Sequence, residues 1–409
     1  MASCDAQPIS FSDGEQSAIA VTSLNSNEVV KDFIMKRSSE FRKLTVLKSL
    51  GWKSENGDAH FQQRRASADA ADDSVKRILF SMMCQIGEEL HRETSAFFPT
   101  SAIRGAMRVL DICMAPGGFS SAVLKIHHHA TISAITLPKS LNGHDVLLSN
   151  WETDRRIDVC FTDVTMLAAE MGVHAIPPDH PDAHTFCFDR PFSNQKFDLV
   201  FCDGQVLRMH QRVDYREKRE AWRLLTSQLV VALHRITLNG TIVALLHRPD
   251  AWDTISLLHT LSGFSTLELF KPKKKHAIKS SFYVVARNVQ AHSAALNAAV
   301  DHWKRDWRIA TFGTDLEYAE NRHKYDNTVW GVLEDFGDQL VLLAEPLWRI
   351  QSNALLHAPF MKQSLCTDEA ARNLEASQLE DTPAANRVED VGRYLISRSK
   401  NSTAATFLG

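Results

Sequence analysis

The chain has 409 residues, seven cysteines and a formal net charge of −3, with 44% hydrophobic and 23% charged residues. That length allows two or three domains of ~100–200 residues, with enough apolar content for a sizeable core. No apolar run approaches the ~20 residues needed to cross a bilayer, and MASCDAQPIS lacks a basic-then-apolar leader pattern, so an intracellular protein, nuclear or cytoplasmic, is expected, with no membrane partner. The cysteines are odd in number and widely spaced with no CxxC pair, which argues against a disulfide framework or a zinc ribbon. With overall charge near neutral, nucleic-acid binding would need a local basic patch.

Residues 1–30 are rich in Ser, Asn, Asp and Gln and read as a flexible tail. Residues 31–105 form a helical extension in which EVVKDFIMKRSSEFRKLTVLKSLGW and SVKRILFSMMCQIGEELHRE place apolar residues at helical intervals. Between 106 and 288 the pattern changes. MRVLDIC, TISAIT, RIDVCF, FDLVFC, GTIVALLH, FSTLELF and SSFYVVA read as seven strands, separated by helical stretches such as FSSAVLKIHH and YREKREAWRLLTSQLVVALHRIT. Alternation of this kind predicts an α/β fold with a mostly parallel sheet and helices on both faces. Met166–Gln195, which carries PPDHPDAH, reads as a surface insertion. Residues 289–409 return to helical patterning and end in a polar tail, and the C-terminal helices are a candidate surface for a protein partner.

The stretch Asp111-Ile112-Cys113-Met114-Ala115-Pro116-Gly117-Gly118-Phe119-Ser120 ends a strand and opens a helix. In an open α/β sheet ligands bind at the carboxyl ends of strands, and paired glycines let the backbone approach a ligand closely. The alternative is a tight turn without a ligand. The loop lacks both GxGxxG and a P-loop lysine.

DICMAPGGFSSAVL resembles the S-adenosylmethionine loop of the FtsJ-type RNA ribose 2'-O-methyltransferases, and within them most nearly that of the mRNA cap-1 methyltransferases. Thr136-Leu137 after the second strand, Thr162-Asp163 after the third, Asp203-Gly204 after the fourth, and Phe270-Lys271-Pro272 followed by Tyr283-Val284-Val285 agree in order with that family. The resemblance implies a Rossmann-like seven-stranded methyltransferase sheet flanked by helical extensions, and S-adenosyl-L-methionine as cofactor. It assigns Asp111, Pro116, Gly117, Gly118, Phe119, Ser120, Thr136, Leu137, Asp163 and Asp203 to cofactor binding. Asp111 orients the loop or reaches the methionine amino group, Asp163 lies beside the adenine, and Thr136 and Leu137 flank the ribose.

A ribose hydroxyl holds its proton tightly at neutral pH, so the family removes it with a Lys-Asp-Lys-Glu constellation. The resemblance assigns Lys76 and Asp203 to two of those positions. At the other two stand Leu245 and Ser281, neither of which can serve as the expected base or its carboxylate support. His247 shares a strand face with Leu245 and is a candidate displaced base; the plainer reading is that His247 and Arg248 end the strand at the surface. Lys271, Lys273, Lys274 and Lys275 lie in a dense basic cluster suited to RNA phosphates, or to an exposed loop with no partner. No metal site is expected: His127–His129 are consecutive, and the His174–Cys187 group has no recognised ligand spacing. The function expected from the resemblance is methylation of RNA, cap-proximal. The alternatives are a catalytically impaired pseudo-methyltransferase acting as a binding partner, or an enzyme redirected to a small molecule.

Overall fold

The computed structural model describes residues 25–52, 73–103, 105–206 and 212–361; the sequence expectations for 1–24 and for the polar tail from 362 fall outside these. Three helices come first: α1 (Ser26–Met35), α2 (Ser39–Trp52) and α3 (Asp73–Thr94). The sheet begins with β1 (Arg108–Ile112), followed by α4 (Gly118–Ile126), β2 (Thr131–Thr136), β3 (Ile157–Phe161) and β4 (Phe197–Cys202). After the short α5 (Asp214–Glu217) come α6 (Glu220–Arg235), β5 (Ile236–His247), α7 (Trp252–Ser262), β6 (Thr266–Phe270) and β7 (Ser281–Val289). Helices α8 (Ala294–Phe312), α9 (Asp315–His323) and α10 (Val329–Leu356) close the described chain. All seven strands expected from the sequence are present.

The strands lie in the order β3-β2-β1-β4-β5-β7-β6. Pairings among β1 to β5 are parallel, and β7 runs antiparallel to both β5 and β6. From β1 the chain winds outward through β2 and β3, then returns to the other side of β1 with β4. Strand order therefore reverses between β1 and β4, and the crevice beyond their carboxyl ends is where such sheets hold ligands.

Alternation along each strand divides the core into two layers. Val109, Ala134, Leu199, Phe201, Val243, Leu245 and Tyr283 face α3 and α4. Leu110, Ile112, Val200, Cys202, Ile242, Ala244 and Val284 face the opposite layer, which includes residues of α6, α7, α8 and α10. Helices α3 and α4 approach closely because two glycines permit it. A Cβ on Gly118 would lie 2.4 Å from Met83 Cβ, and one on Gly87 would lie 3.0 Å from Ala122 Cβ.

The N- and C-terminal helices, distant in sequence, form one joint layer. Phe41 of α2 packs its ring 4.9 Å from that of Trp348 on α10. Ser352 donates to Glu40 at 3.0 Å and Arg37 pairs with Asp338 at 3.2 Å.

The 166–195 insertion is a correction to the sequence expectation, because much of it is core. Met166, Leu167, Met171, Val173 and Phe186 are buried, and Phe186 meets the ring of Trp307 on α8. Fully buried Glu170 receives two hydrogen bonds from the guanidinium of Arg235, at 2.7 and 3.0 Å. Trp307 Nε1 donates to the Thr165 carbonyl at 3.0 Å, and Arg223 bridges Glu220, Thr311 and the same carbonyl. These apolar residues, most of them before the prolines, thus form a bed on which α8 docks.

Candidate active site at the carboxyl edge of the sheet

The loop after β1 is fixed to β2 by backbone bonding. The amides of Cys113 and Met114 both donate to the Ile135 carbonyl, at 2.7 and 3.1 Å, and Ala115 N donates to Thr136 Oγ1 at 3.3 Å. The turn reaches α4 through Gly117, whose φ of +101° favours glycine. Ser120 Oγ donates to Asp111 Oδ2 at 2.6 Å, and both residues are buried. Asp111 thereby clamps the first turn of α4 to β1. Burial raises its carboxyl pKa to about 7, against the Ser120 bond that pulls it down.

The two glycines are not bare toward a ligand on their Cβ sides. Gly118 makes room for the backbone of α3, and a Cβ on Gly117 would lie 3.0 Å from Met114 Sδ and 3.3 Å from Leu148 Cβ. Phe119 points inward, with its ring 5.1 Å from Phe201 and 5.6 Å from Tyr283. Pro116 is buried, and its carbonyl accepts from Leu147 N at 2.9 Å. The segment after β2, starting at half-buried Leu137, therefore folds back across the glycine turn. Lys76 of α3 joins this segment through Asp145 at 3.1 Å, and Lys139 pairs with the same carboxylate.

Asp163 ends β3 and caps the next turn, accepting from Thr165 N at 2.9 Å and Thr165 Oγ1 at 2.7 Å. Its other oxygen faces Arg216 at 3.3 Å. Asp203 ends β4. Its Oδ1 is closed off from solvent and has no hydrogen-bond partner. Burial, followed by the charge of Asp111, pushes its carboxyl pKa up to about 8, while the nearby Tyr283 hydroxyl moderates the rise. Gly204 lets the loops after β1 and β4 meet, since a Cβ there would lie 2.6 Å from Cys113 Sγ. The Cys113 thiol is raised by burial and then by Asp163, Cys202, Asp111 and Asp203, which places it among all three carboxyl groups.

Beside Asp203 the site is apolar. Cys202 pairs with Ala244, so Asp203 and Leu245 follow in step, and Leu245 lies opposite Tyr283. Leu245 and Ser281 are both buried. His247 lies opposite Ser281 at the exposed end of β5, with its imidazole pKa lowered by the surrounding protein, then by Lys279 and Lys271.

Lys271 is a correction. The run of lysines predicts it on an RNA-facing surface, but it is 3% exposed. Its ammonium donates to the carbonyls of Ser281 at 2.9 Å, Lys279 and His276. Burial, with Lys48 nearby, lowers its pKa to about 7. It is an internal staple of the β6–β7 loop. Lys273 is exposed and pairs with Glu93 at 2.9 Å, Lys274 is exposed and Lys275 half-buried.

The sequence reading missed Arg216, Glu220 and Arg223, which tie Asp163 and Thr165 to α6. Their signal was present as charged residues spaced along one face of α6 and the turn before it. Among the described residues no three His, Cys, Asp or Glu side chains gather as a metal site, and no helix is long and apolar enough to cross a membrane.

Among curated proteins none matches the chain. Among solved structures, a protein assigned as a ribosomal RNA methyltransferase from Plasmodium falciparum aligns at 14% identity over 51% of this chain and 96% of its own, with a TM-score of 0.33. An rRNA methylase from Streptococcus thermophilus aligns at 11% identity over 49% of this chain and 96% of its own, with a TM-score of 0.30. An O-methyltransferase family protein from Burkholderia thailandensis aligns at 12% identity over 55% of this chain and 63% of its own, also with a TM-score of 0.30. Residues 90–289 match the FtsJ-like methyltransferase family, so the part of the chain that builds the sheet and its carboxyl-edge crevice is an FtsJ-like methyltransferase domain.

Proposed function

We propose that the protein binds S-adenosyl-L-methionine at the carboxyl edge of the sheet and methylates a ribose 2'-hydroxyl of RNA, with 106–288 as the catalytic domain and 31–105 and 289–409 as helical extensions. The observation that carries this reading is Asp203. A closed-off, unpartnered carboxylate oxygen at the strand-order reversal, with Asp111 and Asp163 close by, suits a cationic ligand. The residues present fit the cofactor: Asp163 for the adenine, Thr136 and Leu137 for the ribose, and Asp203 with the 116–120 turn for the methionine end. When bound, the cofactor supplies a methyl group already activated on a sulfonium.

The chain's own part is to hold the hydroxyl in line and remove its proton. Lys76, through Asp145, stations the segment that folds over the glycine turn. Lys274 and Lys275 offer phosphate contacts. The surrounding protein, then Lys279 and Lys271, lower the His247 imidazole pKa, which favours the neutral form that accepts a proton. His247→Ala is expected to lower methyl transfer by ~10²–10⁴ while cofactor affinity stays unchanged; unchanged turnover removes His247 as the base.

A second reading, binding without turnover, is favoured by the buried Leu245 and Ser281 beside Asp203. Calorimetry with S-adenosylmethionine, followed by a tritiated-methyl assay on capped and uncapped RNA, separates the two. Binding with transfer supports the enzyme, and binding without transfer the pseudoenzyme. Absence of binding refutes both.

A further inference from the structure

The loop from Phe270 to Ser281, which joins β6 to β7, lies at the same sheet edge as Asp203, and two side chains hold it from opposite sides. Lys271 binds its carbonyls from within. From outside, Gln351 of α10, itself only 5% exposed, donates to the Ile278 carbonyl at 3.1 Å and lies 3.4 Å from Ser280 Oγ. Gln351 lies beyond the residues that match the methyltransferase family. So does Lys48 of α2, which is half-buried and within Coulombic reach of Asp250 and Arg248, just past β5, and of Lys271. The layer formed jointly by α2 and α10 therefore leans on the loops that follow both β5 and β6.

Among the described residues, cations outnumber acids on this rim. Lys48 and Arg248 lie close to one another, Lys279 lies near His247 at the strand end, and exposed Lys274 and half-buried Lys275 are carried on the adjoining loop. Asp250 lies 3.7 Å from Arg248 and within Coulombic reach of Lys48. Arg248 keeps 61% of its side chain exposed despite that contact. A cationic rim fits a phosphodiester strand better than an uncharged small molecule.

We propose that the α2–α10 layer is the substrate wall of the site, in which Lys48 and Arg248 contact RNA phosphates and Gln351 positions the loop that carries Lys274, Lys275 and Lys279. This rests on the RNA reading above and deepens it, because it assigns substrate capture to helices outside the methyltransferase domain.

The test uses the full chain and a short fluorescein-labelled single-stranded RNA, titrated over a range of salt concentrations. Lys48→Ala and Arg248→Ala should each weaken binding about fivefold at 0.1 M salt and lower the slope of log affinity against log salt by ~0.7. Gln351→Ala should weaken binding without changing that slope, because it removes no charge. Cofactor affinity and melting temperature should be unchanged in Lys48→Ala and Arg248→Ala. If the wild type binds RNA and both charge variants match its affinity and slope, the wall is refuted and the RNA reading stands. If the wild type binds no RNA at low salt, both fall.

Discussion

Under the proposed function, Asp203 makes cofactor binding a proton-coupled event. Its carboxyl is held near pKa 8 by burial and by the neighbouring Asp111. The unfolded value is close to 3.8, that of a free aspartate carboxyl. Between those limits the folded protein holds a proton that the unfolded chain has lost, so this carboxyl makes the ligand-free fold less stable as pH rises toward 8. A cationic ligand favours the ionised form, so its affinity should rise as pH rises through the same window. Below the folded pKa each pH unit costs up to tenfold in affinity, ~1.4 kcal/mol, which gives a change of up to ~50-fold between pH 6 and pH 8. Asp203 is partly open as a residue, so solvent screening makes this an upper bound. The ligand's own amino group titrates near pH ~8, so the informative comparison is wild type against Asp203→Asn at each pH. Calorimetry in buffers of different ionisation enthalpy should show protons released on binding near pH 7 by the wild type and fewer by the variant. Identical affinity profiles and proton release in the two proteins would refute the placement of Asp203 against the cation.

Two further substitutions test the framework that holds the site. Gly118→Ala puts a methyl group 2.4 Å from Met83 Cβ and 2.8 Å from Cys84 N, so α3 must move off α4. Overpacking of this kind costs ~1–3 kcal/mol, and the urea midpoint should fall accordingly; an unchanged midpoint would mean that the helices are not in contact there. Glu170→Gln leaves Arg235 buried without its counter-charge, at a cost of ~3–5 kcal/mol. His234 and Arg235 hold the Glu170 carboxyl well below its usual range despite burial. The wild type should therefore lose this contribution as pH falls below 4.5, and the variant should show a shallower acid transition. Equal acid profiles would contradict the pairing.

What the sequence made legible follows from how far apart the interacting residues lie along the chain. The strands were readable because apolar runs such as FDLVFC bury both faces, and the β1 turn because its clamp, Asp111 to Ser120, closes within nine residues. The register that sets Leu245 beside Asp203 followed from strand alternation and from the motif order. Arg216, Arg219, Glu220 and Arg223 read differently. Their spacing resembles a solvated helix face, and only the arrival of α8, with Trp307 and Thr311, makes it an interior. Lys271 failed for the same reason. Within a lysine run its type signals exposure, whereas three carbonyls that converge only when the loop closes turn it inward. The α2–α10 layer is the extreme case. Gln351 meets its carbonyl across 73 residues of chain and Ser352 meets Glu40 across 312, so no local pattern could place either helix at the crevice. A polar side chain in such a run has two stable fates, solvent or a distant partner, and only the tertiary contact decides between them. Under the proposed function, cofactor chemistry falls in the short-range part of the sequence and substrate capture in the long-range part.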